Sequence, residues 1–280
     1  MTIKGINAWQ RGIIALLILL AVYGVLIEPY RVQVHDVPVK DPSLAKVLGQ
    51  AVVVQLSDLH ISSMGPRERR VLKIVGDLRP DIVFLTGDYV AWKGAYGPAL
   101  DFLSQLHAKI GVWAVMGEYD YSRSRKSCLF CHEEGSASLT RRHQVHFLKD
   151  RTEKIRLPQG DLSITGIDGD EEPPAYPSGG DPVPPGERGA VIVLAHCPLN
   201  FDRITDDRSL LMLAGDTHGG QIPLPGLLFR KAGYEKNDLY SQGLYERGQR
   251  RLFVSRGIGT SHLPVRLLRP PEVVVFHFVP

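Results

Sequence analysis

Hydrophobic positions along this chain form two kinds of run. The first is a single stretch without charge, GIIALLILLAVYGVLI over residues 12 to 27, flanked by Trp9 and Tyr30. Its length suits a membrane-crossing helix at the short end of the usual range, with aromatic side chains at headgroup level. The second kind is shorter and recurs: AVVVQL (51 to 56), DIVFLT (81 to 86), GVWAVM (111 to 116), LSITGI (162 to 167), AVIVLA (190 to 195), LLMLA (210 to 214), RLFVS (251 to 255) and EVVVFHF (272 to 278). Runs of this length and composition predict buried strands. Val71, Ile74, Val75 and Leu78 fall at helical spacing between the first two runs, and Leu100, Leu103 and Leu106 do so before the third. Strand and helix in alternation predict an α/β fold with central sheets covered by helices.

Residues 28 to 50 are mixed and contain prolines, which reads as a tether followed by an edge strand. Residues 168 to 189 hold six prolines and five glycines, a solvated loop to which no element is assigned. The chain thus divides into a membrane anchor (1 to 30), a tether and edge strand (31 to 50) and one domain (51 to 280). A content of 44% hydrophobic and 22% charged residues is that of a globular protein, and a formal net charge of +3 gives no surface for nucleic acid. Lys4 and Arg11 precede the apolar run, whereas Glu28, Arg31, Asp36, Lys40 and Asp41 come after it in near balance. The positive-inside rule therefore puts the body on the exported side, periplasmic or extracellular. A cleaved signal peptide is the rival reading, but no A-x-A site comes after the run.

Five predicted strands run straight into polar residues: Ser57-Asp58-Leu59-His60, Gly87-Asp88, Gly117-Glu118-Tyr119-Asp120, His196-Cys197-Pro198 and Gly215-Asp216-Thr217-His218. In open α/β sheets ligands sit beyond the carboxyl ends of the strands, so these turns are expected to converge. A lone Gly-Asp after a strand is usually a turn, and a lone histidine there a hydrogen-bonded loop residue. Five such endings in one chain call for another reason. Carboxylates and imidazoles packed together repel and titrate one another, and a metal centre explains their coexistence. Asp-x-His at 58/60 and at 216/218 places both members on one side of an extended chain, because side chains alternate.

The order of these turns resembles that of the calcineurin-like metallophosphoesterases, D-x-H, G-D, G-N-H-[DE], H and G-H-x-H, over roughly residues 50 to 280. The strings QLSDLHIS, GDTHGGQIPLP and SRGIGTSHLPVRLLRPPEV are similar to the membrane-associated branch with UDP-2,3-diacylglucosamine pyrophosphatase-like enzymes. The resemblance implies a four-layer αββα sandwich around two metal ions. Carried across by position, it implies that Asp58, His60 and His218 hold the first ion, that Asp88 bridges, and that Glu118, His196 and Asp216 hold the second. Asp88, Tyr119 and Asp120 then occupy catalytic positions. The implied activity is hydrolysis of a phosphomonoester or pyrophosphate by a metal-bridging hydroxide, on a phosphorylated small molecule or lipid.

Three positions depart from that pattern. Glu118 stands for the asparagine, Tyr119 for the next histidine, and Asp216 for the first histidine of the last motif. Four carboxylates against two divalent ions sum to about zero, where the family pattern leaves about +2. An oxygen-rich second site favours Mn²⁺, Mg²⁺ or Fe³⁺ over Zn²⁺. A phenol with pKa of about 10 is a weaker acid than an imidazole. Either hydrolysis is retained or the site binds without turnover.

A second constellation is Cys128-Leu129-Phe130-Cys131-His132, the spacing for covalent c-type haem, with His132 as proximal ligand and His107, His143, His146 or Met116 as the sixth. With haem, the chain would be a phosphoesterase-fold subunit of a membrane-associated redox complex. A Cys128–Cys131 disulfide, a metal knuckle completed by His143 or His146, and coincidence are the alternatives. Residues 67 to 70, RERR, read as a solvated helix face, Cys197 as a packed thiol, and His262 as either a phosphate contact or a loop residue.

Overall fold

All eight strand-like runs lie in two six-stranded sheets in the computed structural model, which describes residues 7–91, 94–121, 130, 142–168, 183–184, 189–205, 207–261 and 263–280. The strands are β1 (Gln33–Lys40), β2 (Val53–Leu56), β3 (Ile82–Thr86), β4 (Gly111–Val115), β5 (Val145–Phe147), β6 (Arg151–Leu157), β7 (Gly160–Gly166), β8 (Ala190–Leu194), β9 (Leu210–Ala214), β10 (Gly243–Arg247), β11 (Arg250–Val254) and β12 (Glu272–Val279). One sheet runs β1-β12-β2-β3-β4-β5 and the other β10-β11-β9-β8-β7-β6. Strands β2, β3 and β4 are parallel, as are β7, β8, β9 and β11.

The two-residue period of the buried strands sorts their side chains into layers. Val54, Leu56, Val83, Leu85, Val112 and Ala114 face out from the first sheet, against the helices Pro66–Leu78 and Tyr96–Leu103, which contribute Val71, Ile74, Val75, Ala99 and Phe102. Their alternates Val53, Ile82, Phe84, Trp113 and Val115 meet Ile164, Ile192, Leu194, Leu211 and Phe253 of the second sheet. The far face of that sheet, with Val191, Val193, Met212 and Leu252, is covered by Phe201 and Tyr240. Each such side chain contributes roughly 1.5–3 kcal/mol when fully buried, so the strand ends leave a stiff frame.

Four strands fall outside the apolar runs, β1, β5, β6 and β10, and the reason is common to them: each lies at a sheet edge where one face meets water. β6, RTEKIRL, carries the charge that discourages edge-to-edge pairing. A short helix over Pro42–Leu48 adds to the predicted elements. Asp41 caps it, accepting from the N–H groups of Ser43 (2.9 Å) and Leu44 (3.0 Å), and Leu44, Val47 and Leu48 enter the layer between the sheets. An Asp-Pro pair is a helix-start signal visible in sequence.

The expected anchor is helical. A helix over Ala8–Val22 is capped reciprocally by Asn7 and Gln10 and continues through a π-helical turn, Tyr23–Ile27, and a 3₁₀ turn, Glu28–Tyr30. With mean hydropathy 2.3 in its most apolar window, this helical run of 23 residues, Ala8–Tyr30, is long and apolar enough to cross a membrane. Its junction with the body is tied rather than slack. Gly24 C=O accepts from Arg266 N–H at 2.9 Å, and the buried Glu28 carboxylate accepts from the N–H groups of Leu268 (2.8 Å) and Arg269 (2.5 Å). β1 then pairs along its whole length with β12, so residues 31 to 50 belong to the sheeted body and form no free tether. In the RERR stretch Glu68 is buried and accepts from Gly65 N–H, while Arg69 and Arg70 are exposed. Of residues 168 to 189, 169–182 and 185–188 lie outside the described residues, and Val183 is buried.

Candidate metal centre

The polar turns after β2, β3, β8 and β9 do converge, but not as extended chain. Asp58 (φ 50°), His60 (φ 42°), Asp88 (φ 56°), Asp216 (φ 74°) and His218 (φ 52°) are all left-handed. Asp and His tolerate this region better than most residues, yet each such position costs on the order of 1–3 kcal/mol. Asp58 and His60 therefore meet in one group from two left-handed residues, not because side chains alternate, whereas Asp216 and His218 part company.

The surroundings over-determine these turns. Asp58 N–H donates to Gly87 C=O (3.0 Å), His60 N–H to Asp88 C=O (2.9 Å) and Ile61 N–H to Tyr89 C=O (2.8 Å), lacing the first turn to the second. Asp120, fully buried, accepts from the N–H groups of Asp88 (2.8 Å), Tyr89 (2.8 Å) and Gly117 (2.9 Å). Its oxygens are spent on backbone, so it positions Asp88 and does not face substrate, contrary to the catalytic position expected of it. The flanking glycines are there for close approach: a Cβ on Gly117 would strike the Asp88 carboxylate, and one on Gly215 the Ser57 hydroxyl and the Asp58 carboxylate.

Two overlapping groups of side chains could each hold an ion. Asp58, His60 and His218 form the inner one, and Asp58, Asp88 and His196 the other; within each, the ligand atoms lie within 4.8 Å of one another, and all are buried. Asp88 Oδ2 stands between them, 3.5 Å from His60 Nε2 and 3.4 Å from His196 Nε2. His60 and His218 point Nε2 at Nε2 across 3.1 Å, an arrangement two lone pairs tolerate only with a proton or a cation between them. His196 donates from Nδ1 to Thr86 C=O at 2.8 Å, which leaves a buried Nε2 without a hydrogen-bond partner. A carbonyl behind Nδ1 is the support that orients an imidazole for ligation through Nε2. On these donors the inner group fits a divalent ion.

Electrostatics agree. Burial, with the Asp88 and Asp216 charges adding, pushes Asp58 up to about 7. Burial lowers His60 to about 4 and holds His218 well below the usual imidazole value, with His60 and Arg266 adding to the latter. Asp88 stays low because His196 and His60 outweigh its burial, and His196 is held high by Asp88, Asp216 and Asp58 against its own burial. Five buried ionisable groups perturbed in opposing directions are the mark of a functional site.

The outer side differs. Glu118 is solvent-exposed and Asp216 enters neither group; its Oδ1 lies 4.0 Å from His196 Nε2 and 2.7 Å from Lys236 Nζ. Burial and the Asp216 charge raise Glu118. The Tyr119 ring packs edge-on to His60 (centroids 5.2 Å apart), its N–H donates to Asp88 Oδ1 (3.1 Å), and burial raises its phenol. These residues line a pocket of about 230 Å³ together with Gln221, Phe229, Tyr234 and Leu263. Cys197 is a free thiol raised to about 12 by burial and then by Asp216. Lys236 and Arg266 join the site without any signal in the sequence pattern. The fully buried Arg266 guanidinium donates to the carbonyls of Gly259, Arg256 and Arg269 and lies 3.3 Å behind His218 Nδ1. Lys236 sits in a polar stretch, YEKNDLY, with no spacing signal. Cys128, Cys131, His132 and His262 lie outside the described residues.

Residues 51–220 match the profile of the calcineurin-like phosphoesterases. An uncharacterized metallophosphoesterase of Bacillus subtilis, YkuE, is 28% identical over 91% of this chain and 88% of its own. A transmembrane protein with a metallophosphoesterase domain from Danio rerio is 28% identical over 95% of this chain and 62% of its own. The UDP-2,3-diacylglucosamine pyrophosphatase LpxG of Chlamydia trachomatis is 26% identical over 96% of each.

Proposed function

Because the chain belongs to the calcineurin-like phosphoesterases, we propose that it hydrolyses a pyrophosphate or phosphomonoester with a divalent ion. The observation that carries this reading is the inner group, Asp58, His60 and His218, with Asp88 Oδ2 beside it: buried ligand atoms gathered within reach of a single cation. Such an ion, when bound, supplies a hydroxide at neutral pH and offsets phosphoryl charge. The protein's part is to hold those four side chains in left-handed turns, to exclude water behind them with Arg266, and to orient the phosphoryl group with Lys236.

Tyr119 favours the pyrophosphate. Its phenol, raised by burial, donates a proton poorly at neutral pH, and a departing phosphate, with a second pKa of about 6, needs little help. An alkoxide needs much more. The pocket's Phe229, Tyr234 and Leu263 suit an amphiphile, and the N-terminal helix is read as an anchor that keeps the body at a membrane on its exported side. LpxG, by name, acts on a UDP-linked diacylated pyrophosphate, which supports the same class here.

The full chain in detergent with Mn²⁺ is expected to release UMP from a UDP-linked acylated glucosamine faster than phosphate from p-nitrophenyl phosphate, with both rates lost in EDTA and restored by Mn²⁺. Absence of turnover on either, or on bis(p-nitrophenyl) phosphate, with Mn²⁺, Mg²⁺ or iron would end the proposal.

A further inference from the structure

Lys236 stands among the very positions that would hold a second ion. Its Nζ is 2.7 Å from Asp216 Oδ1, and Glu118 and Cys197 are its other charged or ionisable neighbours. We infer that the Lys236 ammonium is the resident cation of the outer half, so that the chain binds one divalent ion, at Asp58, His60, His218 and Asp88, in place of two. This refines the phosphoesterase reading and rests on it.

Three observations carry the inference. First, Asp216 replaces a histidine, and the replacement is the one a lysine requires: an imidazole offers a lone pair to a metal and no charge to an ammonium, whereas a carboxylate pairs with it directly. The Asp216 oxygen is turned to Lys236 at 2.7 Å and stands 4.0 Å from His196 Nε2. Secondly, neither Asp216 nor the exposed Glu118 joins a group able to hold an ion among the described residues. The second group that could hold an ion, Asp58, Asp88 and His196, shares Asp58 with the inner half and includes neither of them. Thirdly, the lysine is fixed in place. Its helix, Glu235–Leu239, carries Asn237, whose side-chain N–H donates to Thr217 C=O at 2.7 Å, one residue from Asp216, and the Lys236 carbonyl accepts from Tyr240 N–H at 2.8 Å.

An ammonium so placed repels a second divalent ion and offers its remaining N–H groups to the phosphoryl oxygens that ion would have held. His196 Nε2, which has no hydrogen-bond partner among the described residues, is then left beside Asp88 Oδ2 at 3.4 Å instead of on a metal.

The test is a metal count on the full chain in detergent, loaded with Mn²⁺ and freed of excess, read by elemental analysis and by Mn²⁺ paramagnetic resonance. The wild type is expected to hold one ion with an uncoupled six-line spectrum. Lys236→Met is expected to take up a second ion and show exchange coupling, and Lys236→Arg, which keeps the charge and guards against loss of folding, to hold one. Two coupled ions in the wild type overturn the inference and leave the phosphoesterase reading intact. A single ion in folded Lys236→Met also overturns it, since the lysine then excludes nothing. No ion in any of the three removes both readings together.

Discussion

Asp58, His60 and His218 lie at the dry end of the centre, none more than 5% exposed, whereas Glu118 and Lys236 stand in the pocket mouth within reach of water. The first set hangs from the ends of β2 and β9, whereas Glu118 comes after β4 and Lys236 rides on the short helix Glu235–Leu239. In the dry half, carboxylate and imidazoles perturb one another, and the Arg266 guanidinium in contact with them lies behind His218 Nδ1 and not between the ligand atoms, so an ion from solution is needed to complete it. In the wet half, an ion pair within the chain already balances Asp216. Departures from the family's residues gather in the half where solvent and a lysine can absorb the change.

The comparison is sharpest in turnover. Asp58→Asn should lower kcat/KM on the order of 10³-fold or more and empty the inner site, while Glu118→Gln should cost less than about 10-fold, because only the first removes charge stabilisation in a water-excluded place. Equal losses would erase the distinction. Stability should divide the same way. Arg266→Met strands buried carbonyls and should cost about 3–5 kcal/mol in urea denaturation, whereas Lys236→Met, which leaves the Asp216 carboxylate without its ammonium, should cost less, about 1–3 kcal/mol.

A smaller effect concerns pH in the metal-free protein. The folded state holds its protons on Asp58 and Asp120, each near 7, and on the raised His196, beyond the point at which unfolded carboxylates and imidazoles release them. Above about pH 6.5 the unfolded chain has no such protons left on these groups, so stability falls as pH rises to 8, by about 1–2 kcal/mol. His60 and His218, neutral in the fold, oppose this only below that window. Thermal melts in EDTA should show the decline and Mn²⁺ should flatten it; parallel profiles with and without the ion would mean that the inner cluster is not what titrates. The smallest change is expected from Tyr119→Phe, less than about 10-fold on a pyrophosphate and larger on an alkyl phosphomonoester.

Much of this architecture is written in one dimension. Central strands are buried on both faces and read as apolar runs, so β2, β3, β8, β9 and β12 are plain, while β6 and β10 hide because an edge needs charge. The order of Asp58, His60, Asp88, His196 and His218 is equally legible, since each comes directly after such a run. The left-handed turns are not: Asp and His occupy them without a glycine to announce them. Asp120 reads as a catalytic group because it sits next to Tyr119, and only its contacts with Asp88, Tyr89 and Gly117 reveal a strut. Lys236 and Arg266 act through space, from stretches without periodic pattern, and sequence has no spacing rule for them.

The joint at Gly24 and Glu28 makes stem and body one lever. In a helix that spans a bilayer, as proposed above, a tilt imposed by bilayer thickness would pass through residues 265 to 269 to the wall behind His218. The angle and stand-off of the pocket above the lipid would then follow the surrounding membrane, and a thinner or thicker one would re-aim it.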